Sequence, residues 1–113
     1  INRRRSYRGS QRRKVGEVMN DLTTLENKIK KFFKYTIDED TDLKDTIQRG
    51  IYKIESLTGT EINFVENLEA FALLQNFVRY AINYSEEYFE ENFHREILRL
   101  TLSEGVRDSA REN

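Results

Sequence analysis

No cysteine occurs in this sequence, which excludes disulfides, thiolate metal sites and a cysteine nucleophile and suits a reducing cytoplasm. Proline is absent too, so the strongest breaker of helices is missing. No apolar run approaches the roughly 20 residues that a membrane helix needs, and no membrane partner is expected. The N-terminal stretch is basic but lacks the apolar centre of a secretory signal. With neither covalent staples nor a bilayer, stability must come from packing or from partners.

What is present fits one small domain. The 113 residues are too few for two cores, and the seven Phe and six Tyr supply one within a chain that is 35% charged. The charge is unevenly placed. Arg3, Arg4, Arg5, Arg8, Arg12, Arg13 and Lys14 stand against Glu17 alone in residues 1 to 18, although the whole chain has a net charge of −1. A basic block beside an acidic remainder reads as an arm, so the domain proper begins near Met19.

Apolar residues recur at intervals of three and four and never alternate, which predicts an all-α fold: a small bundle of about four helices. A first helix spans Thr23 to Lys34, capped by Thr23 or Thr24, with Leu25, Ile29, Phe32 and Phe33 on one face. Residues 37 to 42 turn the chain. Leu43, Ile47, Ile51, Ile54 and Leu57 mark a second helix that Gly59 stops with a left-handed cap. After a loop from Thr60 to Val65, the run from Leu68 to Ile82 is apolar around more than half its circumference and reads as the central helix. Capping residues at 83 to 85 precede a last helix with Tyr88, Phe89, Phe93, Ile97 and Leu98. The predicted organisation is an arm over 1–18, a bundle over 19–102 and a polar C-terminal tail over 103–113, ordered only on assembly.

Several clusters suggest chemistry and fail on their spacing. Asp38, Asp40 and Asp42 alternate like the start of a calcium loop, but Leu43 stands where glycine is required and Arg49 where glutamate is required. They read instead as a turn and a helix start, where carboxylates favour the dipole. Glu91 and His94 have the spacing of a di-iron ligand pair, yet His94 is the only histidine and no second pair exists. Glu86, Glu87, Glu90, Glu91 and Glu96 have no nucleophile or glycine-rich phosphate loop beside them and read as a solvated face. Phe77, Tyr80, Tyr84 and Tyr88 read as half-buried packing in preference to a base-stacking stripe. An enzyme fails on inventory, and no catalytic residue, cofactor or metal is expected. Ile62, Phe64 and Val65 place large apolar groups in a loop, either to meet a neighbouring subunit or to cap the chain's own core; Leu100 and Leu102 join them as candidate interface residues.

Two blocks carry a resemblance. The first is Asp42-Leu43-Lys44-Asp45-Thr46-Ile47 followed by the stretch from Ile51 to the Thr58-Gly59 stop. The second runs from Leu73 through Tyr80, Tyr84, Tyr88 and Phe93 to Glu96-Ile97-Leu98-Arg99-Leu100. In this order they resemble the head-tail connector family of long-tailed bacteriophages, also called adaptor or head-completion proteins, over residues 21 to 105. The resemblance implies a structural virion protein, assembled in the host cytoplasm and placed at the head-tail interface. Its subunits form a homo-oligomeric ring, commonly of twelve, under the portal protein, and a tail-side stopper or tail-completion protein binds below. DNA passes through the channel without sequence-specific binding, and the segment after Phe93, including the tail from Ser103 to Asn113, changes conformation or becomes ordered on docking to the portal. An acidic domain suits such a conduit, because a surface that repels phosphate lets a duplex slide.

The resemblance does not extend to residues 1 to 18, for which two readings stand. In one, translation begins at Met19 and the upstream residues come from reading through purine-rich leader bases. In the other, the seven cationic side chains bind DNA phosphates or an acidic partner. The rival functions are a small DNA-binding module gripping phosphate through the arm, and a regulator binding one partner through an amphipathic helix. The first is weakened because the folded part is acidic where a recognition helix needs Arg, Lys, Asn or Gln.

Overall fold

The computed structural model describes residues 20–33 and 42–112, and these form an all-α bundle of five helices with no strand among the described residues. The arm over 1–18 and the turn at 37–41, including Asp38 and Asp40, lie outside them.

Helix α1, Leu22–Phe32, starts at Asp21, whose carboxylate accepts the Thr23 and Thr24 amides at 3.0 and 3.3 Å. The cap therefore lies two residues before the first of the threonines expected to provide it. A carboxylate combines the hydrogen bonds with a charge that suits the positive end of the helix. Leu25 and Ile29 are buried, and Phe33 turns inward as the chain leaves the helix. Phe32 is left exposed, contrary to expectation, with its ring edge-on to Phe33 at 4.8 Å. Lys28 secures α1 to the rest, its Nζ lying 4.6 Å from the Phe71 ring centre and 3.4 Å from the Val65 carbonyl.

Helix α2, Leu43–Thr58, is capped by Asp42, which accepts the Asp45 amide at 3.1 Å. For Asp42 the helix-start reading holds. Leu43, Ile47 and Ile54 face the core, and Gly59 stops the helix at φ 77°, its N–H donating to the Glu55 carbonyl at 2.8 Å. Gly50 is required for another reason. A Cβ there would stand 2.7 Å from Leu74 Cδ1 and 2.8 Å from Phe77 Cδ2, so glycine lets the next long helix approach α2.

The loop after Gly59 is held from both sides. Asn20 accepts the Phe64 amide at 2.8 Å and donates to the Ile62 carbonyl at 2.9 Å, while the Glu55 carboxylate accepts the Ile62 amide at 3.0 Å. These bonds satisfy loop backbone and allow Ile62 and Phe64 to be fully buried. Burial of two such side chains contributes about 1.5–3 kcal/mol each.

Helix α3, Leu68–Ile82, begins at Asn67, whose Oδ1 accepts the Ala70 amide at 3.0 Å. It buries Ala70, Leu73, Leu74, Phe77 and Val78, but Leu68 and Ala72 are exposed, so the apolar surface is a stripe and does not wrap the helix. The helix ends with the Tyr84 N–H on the Ala81 carbonyl at 3.1 Å and the Ser85 N–H on the Tyr80 carbonyl at 2.8 Å. This is a Schellman stop, in which Tyr84 takes the left-handed position at φ 57° that glycine usually fills.

The single last helix expected from sequence is made in pieces. A 3-10 turn, Glu86–Tyr88, leads into a one-turn helix α4, Phe89–Asn92, and α5, His94–Glu112, follows after a break at Phe93. Ser85 caps nothing and instead donates its hydroxyl to the Tyr80 carbonyl at 3.2 Å. The reason for the break is aromatic packing. Phe89 is buried edge-on to Phe77 at 5.3 Å and stacked on Phe93 at 5.3 Å, and Tyr80 closes the group at 5.5 Å from Phe93.

Helix α5 runs on to Glu112, through the segment read from sequence as a polar tail. Ile97, Leu100 and Glu104, spaced by three and four, turn inward. Glu104 is only 2% exposed, and its Oε2 accepts the Asn67 side-chain amide at 3.0 Å.

Candidate interaction surfaces

Two surfaces of this bundle are open to partners, and neither is built from the loop residues singled out in the sequence. Ile62, Phe64 and Leu100 are fully buried in the chain's own core, so of the two readings for the loop the packing one describes them. Val65 is half-buried against that core. Leu102 alone of the five candidate interface residues is well exposed. The cationic residues Arg3, Arg4, Arg5, Arg8, Arg12, Arg13 and Lys14 lie outside the described residues.

The first surface is the outward side of α5. Leu98, Leu102 and Val106 follow one another at intervals of four and are 50, 64 and 71% exposed. Their side chains project away from the Ile97, Leu100 and Glu104 side, so one helix carries two apolar faces and only one is covered. Gly105 lies in the same stretch with open space where a side chain would be. Sequence reading singled out Leu102 as a candidate interface residue but gave Leu98 only as a residue of the last helix, and so missed the stripe as a whole. The signal was the repeated interval of four, visible only once the inward register of Ile97 and Leu100 is known.

The second surface is an open groove of about 650 Å³ between α2 and the Glu86–Tyr88 turn. Phe77 forms its floor, Tyr52 stands on one wall and is 75% exposed, and Glu87 lies on the opposite rim. Arg49 bridges the two sides, pairing with Glu86 across the groove and with Asp45 one turn back on α2 at 3.4 Å. The Glu86 hydrogen bond, reinforced by Asp45, pushes the Arg49 guanidinium further towards its charged form. Lys53 reaches Glu90 at 3.5 Å. The acidic face expected to be simply solvated is therefore partly engaged by α2, whereas Glu87, Glu91 and Glu96 make no ion pair with a described residue.

The aromatic stripe divides. Phe77 and Tyr80 are structural, the Tyr80 hydroxyl accepting from the Asn92 amide at 2.8 Å, while Tyr84 and Tyr88 point to solvent. Among the described residues no group of three or more His, Cys, Asp or Glu is placed to hold a metal ion, and no helix is long and apolar enough to cross a membrane. No family model, curated protein or solved structure matches the chain.

Proposed function

We propose that this chain is an assembly subunit of the head-tail connector type, working by shape and contact in a phage particle. The observation that carries the reading is the second apolar face of α5, at Leu98, Leu102 and Val106, which the subunit leaves uncovered. A contiguous apolar stripe on a small, highly charged chain marks a contact with another protein. The residue pattern between Asp42 and Leu100 that resembles the connector family supplies the kind of assembly: a ring under the portal, with a tail-side protein below and DNA passing through. Ring closure needs a surface on each subunit that meets a different surface of its neighbour, and the α5 stripe supplies one side of such a contact. Glu87, Glu91 and Glu96, exposed and without an ion pair to a described residue, suit a face that a duplex slides past, since carboxylates repel phosphate. They are unsuited to the grip on a groove that the DNA-binding rival requires.

Light scattering of the purified chain, alone and mixed with the portal protein of a long-tailed phage, tests this. A closed oligomer, or a monomer that joins the portal as a ring, is the expected result. Leu102→Asp should weaken that association about tenfold or more, since burying one leucine is worth about 1.5–3 kcal/mol. A lasting monomer that ignores the portal would sink the proposal.

A further inference from the structure

We propose that the groove between α2 and the Glu86–Tyr88 turn is the docking site for the chain's own arginine-rich segment, residues 3 to 14. The inference stands apart from the connector reading and rests on the charge and shape of the groove. Two carboxylates, Glu86 and Glu87, and two cations, Arg49 and Lys53, line it, and Asp45 and Glu90 pair with those cations from outside the lining. Arg49 is engaged by two of these carboxylates and Lys53 by a third, which leaves Glu87 without a described partner. Across the groove from it stands the exposed Tyr52 ring, with Phe77 also lining the space. A groove with an aromatic face on one wall and a carboxylate on the other suits an arginine-bearing segment, whose planar cations stack on a ring and donate N–H groups to an acid. Lysine, a compact and strongly hydrated charge, fits such a slot less well. The segment that answers this description is the chain's own, with Arg3, Arg4, Arg5, Arg8, Arg12 and Arg13.

Reach favours the same molecule over a neighbour. Asn20 is fixed beside Ile62 and Phe64, near the Gly59 end of α2. The groove lies back along α2 from there, about 9 Å from Gly59 to Lys53 at 1.5 Å per residue. Six residues from Lys14 to Asn20 span up to about 20 Å when extended. A tether of this length holds the arginines at an effective concentration in the millimolar range, above that of any free copy in solution.

Because the chain has no cysteine, Ser10→Cys provides a single attachment point for a nitroxide on the full chain. Amide signals of Gln48 to Lys53 and of Glu86 and Glu87 should broaden selectively. That broadening should be lost in Glu87→Lys and in Tyr52→Ala, both exposed positions, and at high salt, where such pairs are screened. Far-UV circular dichroism of the two variants confirms that the bundle is intact. Broadening spread evenly over the surface, or unchanged in both variants, would overturn the proposal. So would broadening that appears only when the nitroxide and the observed amides are on different molecules, since the occupant would then be a second copy.

Discussion

Replacing Tyr84 with glycine should make this protein more stable than replacing it with alanine, by about 1 kcal/mol. Tyr84 sits at φ 57°, where a Cβ crowds the following carbonyl at a cost of about 1–2 kcal/mol. Its ring, 91% exposed, contributes little burial, and both substitutions remove the same ring, so that contribution cancels in the comparison. Glycine relieves the crowding but gives the unfolded chain more freedom, which works against it by about 0.5–1 kcal/mol. The balance favours glycine, and for a domain of this size about 1 kcal/mol corresponds to roughly 4–8 °C in Tm. Urea and thermal unfolding of the two variants, followed by far-UV circular dichroism, measure it. If the alanine variant matches or exceeds the glycine variant, Tyr84 does not adopt the left-handed conformation in solution and the Schellman stop after α3 is wrong.

Gly50→Ala should destabilise, because overpacking against Leu74 and Phe77 costs about 1–3 kcal/mol and exceeds the gain of about 1 kcal/mol in helix propensity; a raised urea midpoint would refute the close α2–α3 approach. Glu104→Ala leaves the half-buried Asn67 amide without this acceptor and should cost about 1 kcal/mol, whereas a neutral result in thermal unfolding would mean that α5 is not seated there. Asp21, held below its ordinary pKa first by its hydrogen bonds with Thr24, stabilises the fold fully above the unfolded carboxylate value of about 3.9. That contribution is lost as pH falls through the folded value, so acid unfolding of Asp21→Ala should show a shallower loss across this window, and an unchanged acid limb would rule out the cap.

The helices were legible because their buried residues are spaced by three and four, and α2 was legible to its last residue because Gly59 alone among its neighbours adopts positive φ readily. Legibility failed where two signals shared one helix. In α5, Ile97 and Leu100 define the inward face, yet Leu98 and Leu102 are just as apolar, and composition does not say which pair turns in. Glu104 was read as solvated tail because a carboxylate is ordinarily outside, and its burial depends on Asn67, far away in the chain. The groove was invisible for the same reason, since Arg49 and Glu86 meet only after α2 packs on α3. Ile62 and Phe64 were ambiguous because a loop has no face of its own, and the Asn20 hydrogen bonds that turn them inward come from the opposite end of the domain.

Asn67 holds two structures at once: its Oδ1 ends the loop by starting α3, and its Nδ2 grips α5 through Glu104. A force or a partner that pulls α5 from the body therefore acts on the first turn of α3, and behind it on the loop that carries Phe64. The C-terminal helix behaves like a lever whose fulcrum is one amide side chain. Displacing it would register in the loop that Asn20 holds through Ile62 and Phe64.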